Sequence, residues 1–132
     1  MADRVLFVGS VNDPRPYYGA ADFLLLPTKR DTCSLVVLEA LAMGLPVVTT
    51  RQNGASDVVE DGKQGIIVEH GDEAGLSGAL EAMLDAGRLR EMSRAALAMR
   101  AGLSFERHAE RIEEVYEQVM NARRKGAESS DR

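Results

Sequence analysis

The chain has few of the residues that mark secreted or membrane proteins. Among its 132 residues there is one cysteine, Cys33, there is no tryptophan, and aromatic residues make up only 5%. A lone cysteine excludes an intramolecular disulfide and fits a reducing compartment. No apolar run approaches the roughly 20 residues that span a bilayer, and the apolar run at residues 5–8 is too short for a signal peptide. We therefore expect a cytoplasmic protein.

Positive charge is also scarce. Sixteen Lys and Arg residues against 21 Asp and Glu residues give a formal net charge of −5, whereas non-specific nucleic-acid binders carry a basic excess. The three cations at residues 123–125 allow at most a peripheral contact with an anionic membrane surface. We therefore expect no nucleic-acid partner.

The sequence also offers little to a metal ion or to thiol catalysis. Its two histidines, His70 and His108, are isolated from each other and from other ligand types. No His or Asn is spaced to activate the thiol of Cys33, although a helix N-terminus there could lower a thiol pKa. Neither a metal centre nor a catalytic cysteine is expected.

Apolar, β-branched runs alternate with helical patterns along the first half of the chain. Buried strands are predicted at residues 5–8, 23–26, 46–49 and 66–68. Helices are predicted at residues 16–22, 34–43, 72–86, 89–99 and 104–122, with a short helical turn at 53–59. This alternation predicts an α/β fold: a Rossmann-like three-layer sandwich with a mainly parallel sheet of about four strands, plus C-terminal helices. Residues 1–122 are expected to form one domain, and residues 123–132 a polar, disordered tail.

Two carboxylates interrupt the most apolar part of the chain. Asp31 lies in the loop after the second predicted strand, and Glu39 lies in a helix that otherwise consists of apolar residues. A carboxylate buried in such a helix is costly unless it is paired, hydrogen-bonded or facing a ligand. Ligands of parallel sheets bind at the carboxyl ends of the strands, where the helix N-terminus favours anions. The pattern predicts a site for an anion and hydroxyl groups there.

The same segments resemble the donor-binding domain of the GT-B retaining glycosyltransferases, especially family 4. The resemblance rests on Asp31, seven intervening residues, Glu39, and the following Ala-Leu-Ala-Met-Gly-Leu-Pro-Val-Val. It continues in the right order through residues 5–11, 20–27, 53–59 and 61–68. In all it covers about residues 4–120.

The resemblance implies a nucleoside diphosphate sugar as substrate, with no cofactor and no metal. The implied residues are Asp31 and Thr32 for the donor sugar, Cys33, Ser34 and Leu35 for the diphosphate through backbone amides that begin at Thr32, Glu39 for the ribose, and Ser10 and Val11 near the nucleobase. Two departures affect this set, since the family usually has Glu where this chain has Asp31. It also usually has an aromatic residue and a glycine where this chain has Cys33 and Ser34.

The resemblance covers only the later part of one of two domains in such enzymes. The acceptor-binding domain has no counterpart, nor do the first two strands of the donor domain and the basic residues that steady the leaving diphosphate. Arg30 and Arg51 lie near the expected site, but isolated surface charges are usually solvated. We therefore assign no catalytic residue and expect the isolated chain to lack full activity. The missing strands would leave a sheet edge exposed, which favours a homodimer.

Two other functions fit an α/β chain of this kind, and a third is set aside. A GT-B nucleotide-sugar epimerase would use a similar donor pocket, and the absent domain would decide between the two. A non-catalytic α/β binding or interaction module would keep the fold without the chemistry. A receiver-type signalling domain needs clustered acids after the first strand, and residues 9–11 supply none.

Overall fold

A computed structural model describes the backbone of residues 2–130 and the side chains of residues 3–123. Three parallel strands form one sheet in the order β1-β2-β3; they are β1 (Leu24–Leu26), β2 (Val47–Thr50) and β3 (Gly65–Val68). The central strand, β2, is buried along its whole length. Its β-branched Val and Thr residues suit a strand that is covered on both faces. The predicted parallel α/β fold is confirmed.

The α-helices of the described residues are α1 (Arg15–Ala20), α2 (Leu35–Ala42), α3 (Glu73–Ala82), α4 (Ala86–Ala98) and α5 (Phe105–Ser130). Of these, α2, α3 and α4 supply buried residues to the two faces of the sheet. Alternate residues of β2 face opposite ways, as strand geometry requires. Val47 joins a core cluster with Val37 and Leu41 of α2. Val48 joins a second cluster on the other face, with residues of α3 and α4.

Local signals explain where the helices begin and end. Asp85 caps α4, because its carboxylate accepts from the amide of Arg88 at 2.7 Å. Gly44 follows the end of α2 with a φ of 82°, a left-handed conformation that glycine adopts without strain. Short 3-10 helices complete the chain at Ala2–Arg4, Gly54–Val58 and Arg100–Leu103.

The first predicted strand is wrong. Residues 5–8 form no strand, and their apolar side chains are exposed, with Leu6 at 84% and Phe7 at 91%. A strand needs a neighbour to pair its amides and carbonyls, and β1 pairs only with β2. The segment has strand propensity but no partner strand among the described residues. The sheet therefore has three strands rather than about four, and the outer edge of β1 is open.

The last helix differs from its predicted extent. It was predicted to end at about residue 122, but α5 continues to Ser130. The added segment contains Ala, Arg, Lys and Glu, which are good helix formers. The end of the predicted disordered tail, Asp131 and Arg132, lies outside the described residues. Within residues 2–130 no helix combines the length and the apolar character that crossing a membrane requires.

Helix α5 also leaves its apolar stripe uncovered. Ile112, Val115, Tyr116 and Val119 lie on one face of the helix and are 41–66% exposed. The main contacts of α5 with other elements are with the 3-10 helix Arg100–Leu103. The stripe therefore has no partner among the residues that the structure describes.

Candidate functional site

Two loops at the carboxyl ends of β1 and β2 are joined by backbone hydrogen bonds. The amide of Asp31 donates to the carbonyl of Gln52 at 3.2 Å, and the amide of Gly54 donates to the carbonyl of Asp31 at 2.9 Å. Below them, the hydroxyl of Thr50 donates to the carbonyl of Thr28 at 2.5 Å. The loop that carries Asp31 is thus held by the next strand along the sheet.

Asn53 connects these loops to the start of α2. Its side chain is completely buried. Its Oδ1 accepts from the amides of Ser34, at 3.3 Å, and Ala55, at 3.0 Å, while its Nδ2 donates to Thr49 at 3.0 Å. All the polar atoms of this amide are therefore engaged, as a buried amide requires. One side chain fixes the N-terminus of α2 relative to β2.

Gly54 is required by the close approach of these two loops. A Cβ atom at this position would overlap the carbonyl oxygen of Thr32. The absence of a side chain, rather than an unusual φ angle, is what the position needs. Gly54 is therefore a packing residue, in agreement with its predicted place in a turn.

The predicted phosphate-binding amides lie together at the N-terminus of α2, but two of them already have partners. The amide of Cys33 donates to Asp31 Oδ1 at 3.1 Å, and the amide of Ser34 donates to Asn53. No hydrogen bond within the described part of the chain uses the amides of Leu35 and Val36. The Thr32 amide has no partner among the described residues either, so the free donors at this helix end are those of Thr32, Leu35 and Val36.

Helix α2 is exposed on one side, so the prediction that Glu39 is buried in an apolar helix is wrong. Leu35 is 67% exposed and Val36 is 42% exposed, and Glu39 lies on the same solvent-facing side. Burial therefore imposes no penalty on this carboxylate. Glu39 is neither turned inward nor saturated by main-chain amides, so it is free to contact a ligand.

Glu39 accepts a hydrogen bond from a tyrosine of a different helix. The hydroxyl of Tyr18, on α1, donates to Glu39 Oε2 at 2.7 Å. Partial burial, followed by this hydrogen bond and the negative charge of Glu39, raises the pKa of Tyr18 to about 12. The phenol is consequently neutral and able to donate at any physiological pH.

Two concave surfaces meet at Glu39. The first is a crevice of about 500 Å³ between α1 and α2; its lining includes Asn12, Asp13, Arg15, Tyr18, Glu39 and Met43. The second is a groove of about 450 Å³ between α2 and the start of α5; its lining includes Cys33, Leu35, Glu39, Leu103, Phe105 and His108. Glu39 is the carboxylate common to both, between an amphipathic crevice and a more apolar groove.

The remaining predicted residues take different positions around these surfaces. Ser10 and Val11 are exposed and lie just before the lining of the crevice, which begins at Asn12. Asp31 is half-buried, with one carboxylate oxygen on the Cys33 amide, and Thr32 beside it is exposed. The structure thus groups Cys33, Leu35 and Glu39 on one groove, whereas Ser10 and Val11, which were predicted near the nucleobase, do not line either surface.

A third depression at the same sheet edge is unsuited to an anion. It measures about 220 Å³, and its lining includes Glu69, Asp72 and Glu73. Of the lining carboxylates, Glu69 is paired with Arg51 at 2.7 Å. The hydrogen bond between the two side chains raises the pKa of Arg51 and lowers the pKa of Glu69. The guanidinium of Arg51 is therefore paired with Glu69 and not directed to the N-terminus of α2.

Sequence reasoning missed four residues of the site: Tyr18, Asn53, Phe105 and His108. Tyr18 and Glu39 are 21 positions apart, and the contact depends on how α1 packs against α2. Phe105 and His108 reach the groove only because α5 begins beside α2. Asn53 was placed in a turn, and only its complete burial indicates that it organises the loops.

Comparison with known proteins places the chain among sugar transferases. The model of the family described as "Glycosyl transferases group 1" matches residues 1–86. A D-inositol 3-phosphate glycosyltransferase of Acidothermus cellulolyticus is 33% identical over 96% of this chain and 29% of its own length. The lipopolysaccharide core biosynthesis glycosyltransferase LpsE of Rhizobium meliloti is 34% identical over 68% of this chain and 26% of its own length.

Solved structures give the same result for the fold. Sucrose-phosphate synthase from Thermosynechococcus elongatus matches with a TM-score of 0.78 and 29% identity, over 91% of this chain and 31% of that one. The chain spans less than a third of the length of each of these three proteins. The family model nevertheless covers well over half of it. The chain belongs to the group 1 glycosyl transferases.

Proposed function

We propose that this chain supplies the nucleotide-sugar site of a retaining, family 4-like glycosyltransferase. The observation that supports this most is the placement of Glu39, exposed between two concave surfaces and on the same side of α2 as the free amide-bearing residues Leu35 and Val36. A helix N-terminus with unused amides suits a diphosphate, and a nearby carboxylate suits sugar hydroxyls. One ligand that contains both groups is a nucleoside diphosphate sugar.

The spacing along α2 fits such a ligand. Glu39 lies five positions after Ser34, the residue that precedes the helix. Because a helix rises about 1.5 Å per residue, the rise between them is about 7.5 Å. This is near the distance between a diphosphate and the ribose hydroxyls of its nucleotide. We assign the diphosphate to the helix N-terminus, including the amide of Leu35, and the ribose to Glu39.

The two ends of the donor follow from that orientation. Asp31 and Thr32 precede the helix N-terminus and would contact the transferred sugar, Asp31 through the oxygen that Cys33 leaves open. Ser10 and Val11 are exposed and directly precede Asn12, which lines the crevice, and we assign them to the nucleobase. Phe105 and His108 share a groove with Leu35 and Glu39, but they have no role in this assignment.

The reaction would move a sugar from the nucleoside diphosphate to an acceptor hydroxyl with retention at the anomeric carbon. Hydrogen-bond donors at the diphosphate would stabilise the charge that develops on the leaving group. The relatives are named for different acceptors, so the acceptor is open. We propose that an N-terminal acceptor domain completes the enzyme, and that the 132-residue chain alone has little transferase activity.

Calorimetric titration tests the site directly. The chain should bind at least one of UDP, GDP and ADP with a Kd of about 1 mM or tighter, equally well with EDTA present because no metal is required. Glu39→Ala should weaken binding by about ten- to a hundredfold, the value of hydrogen bonds to a charged group. Glu91→Ala, which removes an exposed carboxylate on α4, is the matched control and should bind like the parent. Absence of binding to all three nucleotides would contradict the proposal and favour a non-catalytic module.

We also propose that the isolated chain self-associates through the sheet edge. The outer edge of β1 has no neighbour among the described residues, and Leu25 on this strand is 41% exposed. Open edges of this kind pair with other chains. Light scattering over a concentration series should show a dimer, and a monomer at every concentration would refute this.

A cytoplasmic location and a peripheral membrane contact stay predictions.

A further inference from the structure

Tyr18 is fixed at two points. Its ring packs against the core cluster that contains Val37 and Leu41 of α2. Its hydroxyl donates to Glu39 Oε2 at 2.7 Å. The ring therefore sets the position of the hydroxyl, and the hydroxyl sets the position of one carboxylate oxygen.

Glu39 has no other restraint of this kind. Its side chain is exposed, and the bond from Tyr18 is the hydrogen bond that the structure gives its carboxylate. An exposed glutamate samples several rotamers, and ordering it on a ligand weakens affinity by about two- to tenfold. With Oε2 occupied by Tyr18, Oε1 is left to accept from a ligand. A carboxylate can accept more than two hydrogen bonds, so the tyrosine does not block it.

We propose that Tyr18 is a positioning residue that holds the Glu39 carboxylate ready for the ribose hydroxyls of a nucleoside diphosphate. This inference rests on the function proposed above. Both residues line the crevice between α1 and α2, so the ligand would meet the pair already assembled. Because the pKa of Tyr18 is raised to about 12, the phenol keeps its proton and its donor role at neutral pH.

A purely structural role makes a different prediction. If Tyr18 only joins α1 to α2, its loss would weaken every ligand of the site alike, whether or not that ligand has ribose hydroxyls. If it acts through Glu39, the effect is confined to ligands that Glu39 contacts. The two roles separate when the ribose hydroxyls are removed from the ligand.

The test is a calorimetric comparison of UDP, GDP and ADP with their 2′,3′-dideoxy analogues on the 132-residue chain. Tyr18→Phe keeps the ring and removes the hydroxyl; it should weaken the ribonucleotide by about two- to tenfold and leave the dideoxy analogue unchanged. Tyr17→Phe, on the adjacent exposed residue of α1, is the matched control and should change neither. In a Glu39→Ala background, Tyr18→Phe should have no further effect, because the carboxylate that it positions is absent.

Each result decides between the possibilities. Equal weakening of both ligands by Tyr18→Phe, or an unchanged ribonucleotide affinity, would overturn the positioning role while the proposed function stands. Absence of any nucleotide binding by the parent chain would overturn the proposed function and this inference together. Circular dichroism and thermal unfolding check that Tyr18→Phe is folded; a variant that does not fold would show that the hydroxyl serves the fold, and this too would overturn the positioning role.

Discussion

Replacing Asn53 by alanine tests whether one buried amide organises the site. Its side chain is fully buried and joins the α2 N-terminus, the 3-10 helix after β2, and β2 itself. Asn53→Ala removes the acceptor of two amides, those of Ser34 and Ala55, without removing the amides. Two backbone donors would then lie buried without partners.

The expected cost follows from those two donors. An unsatisfied buried group costs about 1–3 kcal/mol, and the Ser34 bond, at 3.3 Å, is the weaker of the two. We therefore expect the free energy of unfolding to fall by about 2–4 kcal/mol. A water molecule that entered the vacated space would satisfy one amide and place the loss near the lower value. The hydroxyl of Thr49 would lose the hydrogen bond that it accepts from Asn53, but it would still donate to the carbonyl of Leu26 at 3.0 Å. Thr49 therefore adds little to the loss of stability.

Urea denaturation followed by circular dichroism measures this loss. Asn12→Ala is the control, since Asn12 is exposed and should change stability by less than about 0.5 kcal/mol. Nucleotide affinity should fall along with stability, because Asn53 fixes the helix end to which the diphosphate is assigned. A loss below about 1 kcal/mol would refute the idea that this side chain holds the two loops together.

Three further predictions concern Gly54, Gly78 and Tyr18. Gly54→Ala should lower the free energy of unfolding by about 1–3 kcal/mol in urea titrations, since its Cβ would overlap the Thr32 carbonyl; an unchanged midpoint would contradict that. Gly78→Ala, at a position in α3 with open space, should instead raise it by about 0.5–1 kcal/mol, and destabilisation would count against the assigned helix. The pKa of Tyr18 lies above its ordinary value of 10, at about 12, so its contribution is complete below pH 10 and is lost as pH rises from 10 to 12. After discounting for partial exposure, this contribution to the free energy of unfolding is about 1 kcal/mol. The parent chain should lose it between pH 10 and 12, and Tyr18→Phe should not; equal losses of stability in the two proteins would disprove the prediction.

Hydrophobic periodicity was sufficient for the elements that pack against a neighbour. The predicted strands at residues 23–26, 46–49 and 66–68 correspond to β1, β2 and β3 within one or two residues. The run at residues 5–8 has the same composition but is exposed and unpaired. Strand propensity is a property of the segment, whereas pairing depends on a partner elsewhere in the chain. The missing partner could not be inferred from the run itself.

The helix end that carries the candidate site was predictable from the sequence, but the contacts that support it were not. The spacing of Asp31 and Glu39 identified the helix end, although the reason first given for Glu39, burial in an apolar helix, was wrong. Leu35 and Val36 are apolar yet exposed, so composition did not report which side of α2 faces solvent. The bond from Tyr18 depends on tertiary packing, which no local pattern encodes.

The central claim is that nucleoside diphosphates bind along α2, from its N-terminus to Glu39. The most direct measurement is an amide chemical-shift titration of isotope-labelled chain with UDP, GDP and ADP. The account predicts that the largest shifts occur at Leu35 and Val36, with further shifts at Glu39 and next to the crevice at Val11. Shifts centred instead on the acidic depression at residues 69–73, or no shifts with any of the three nucleotides, would contradict it.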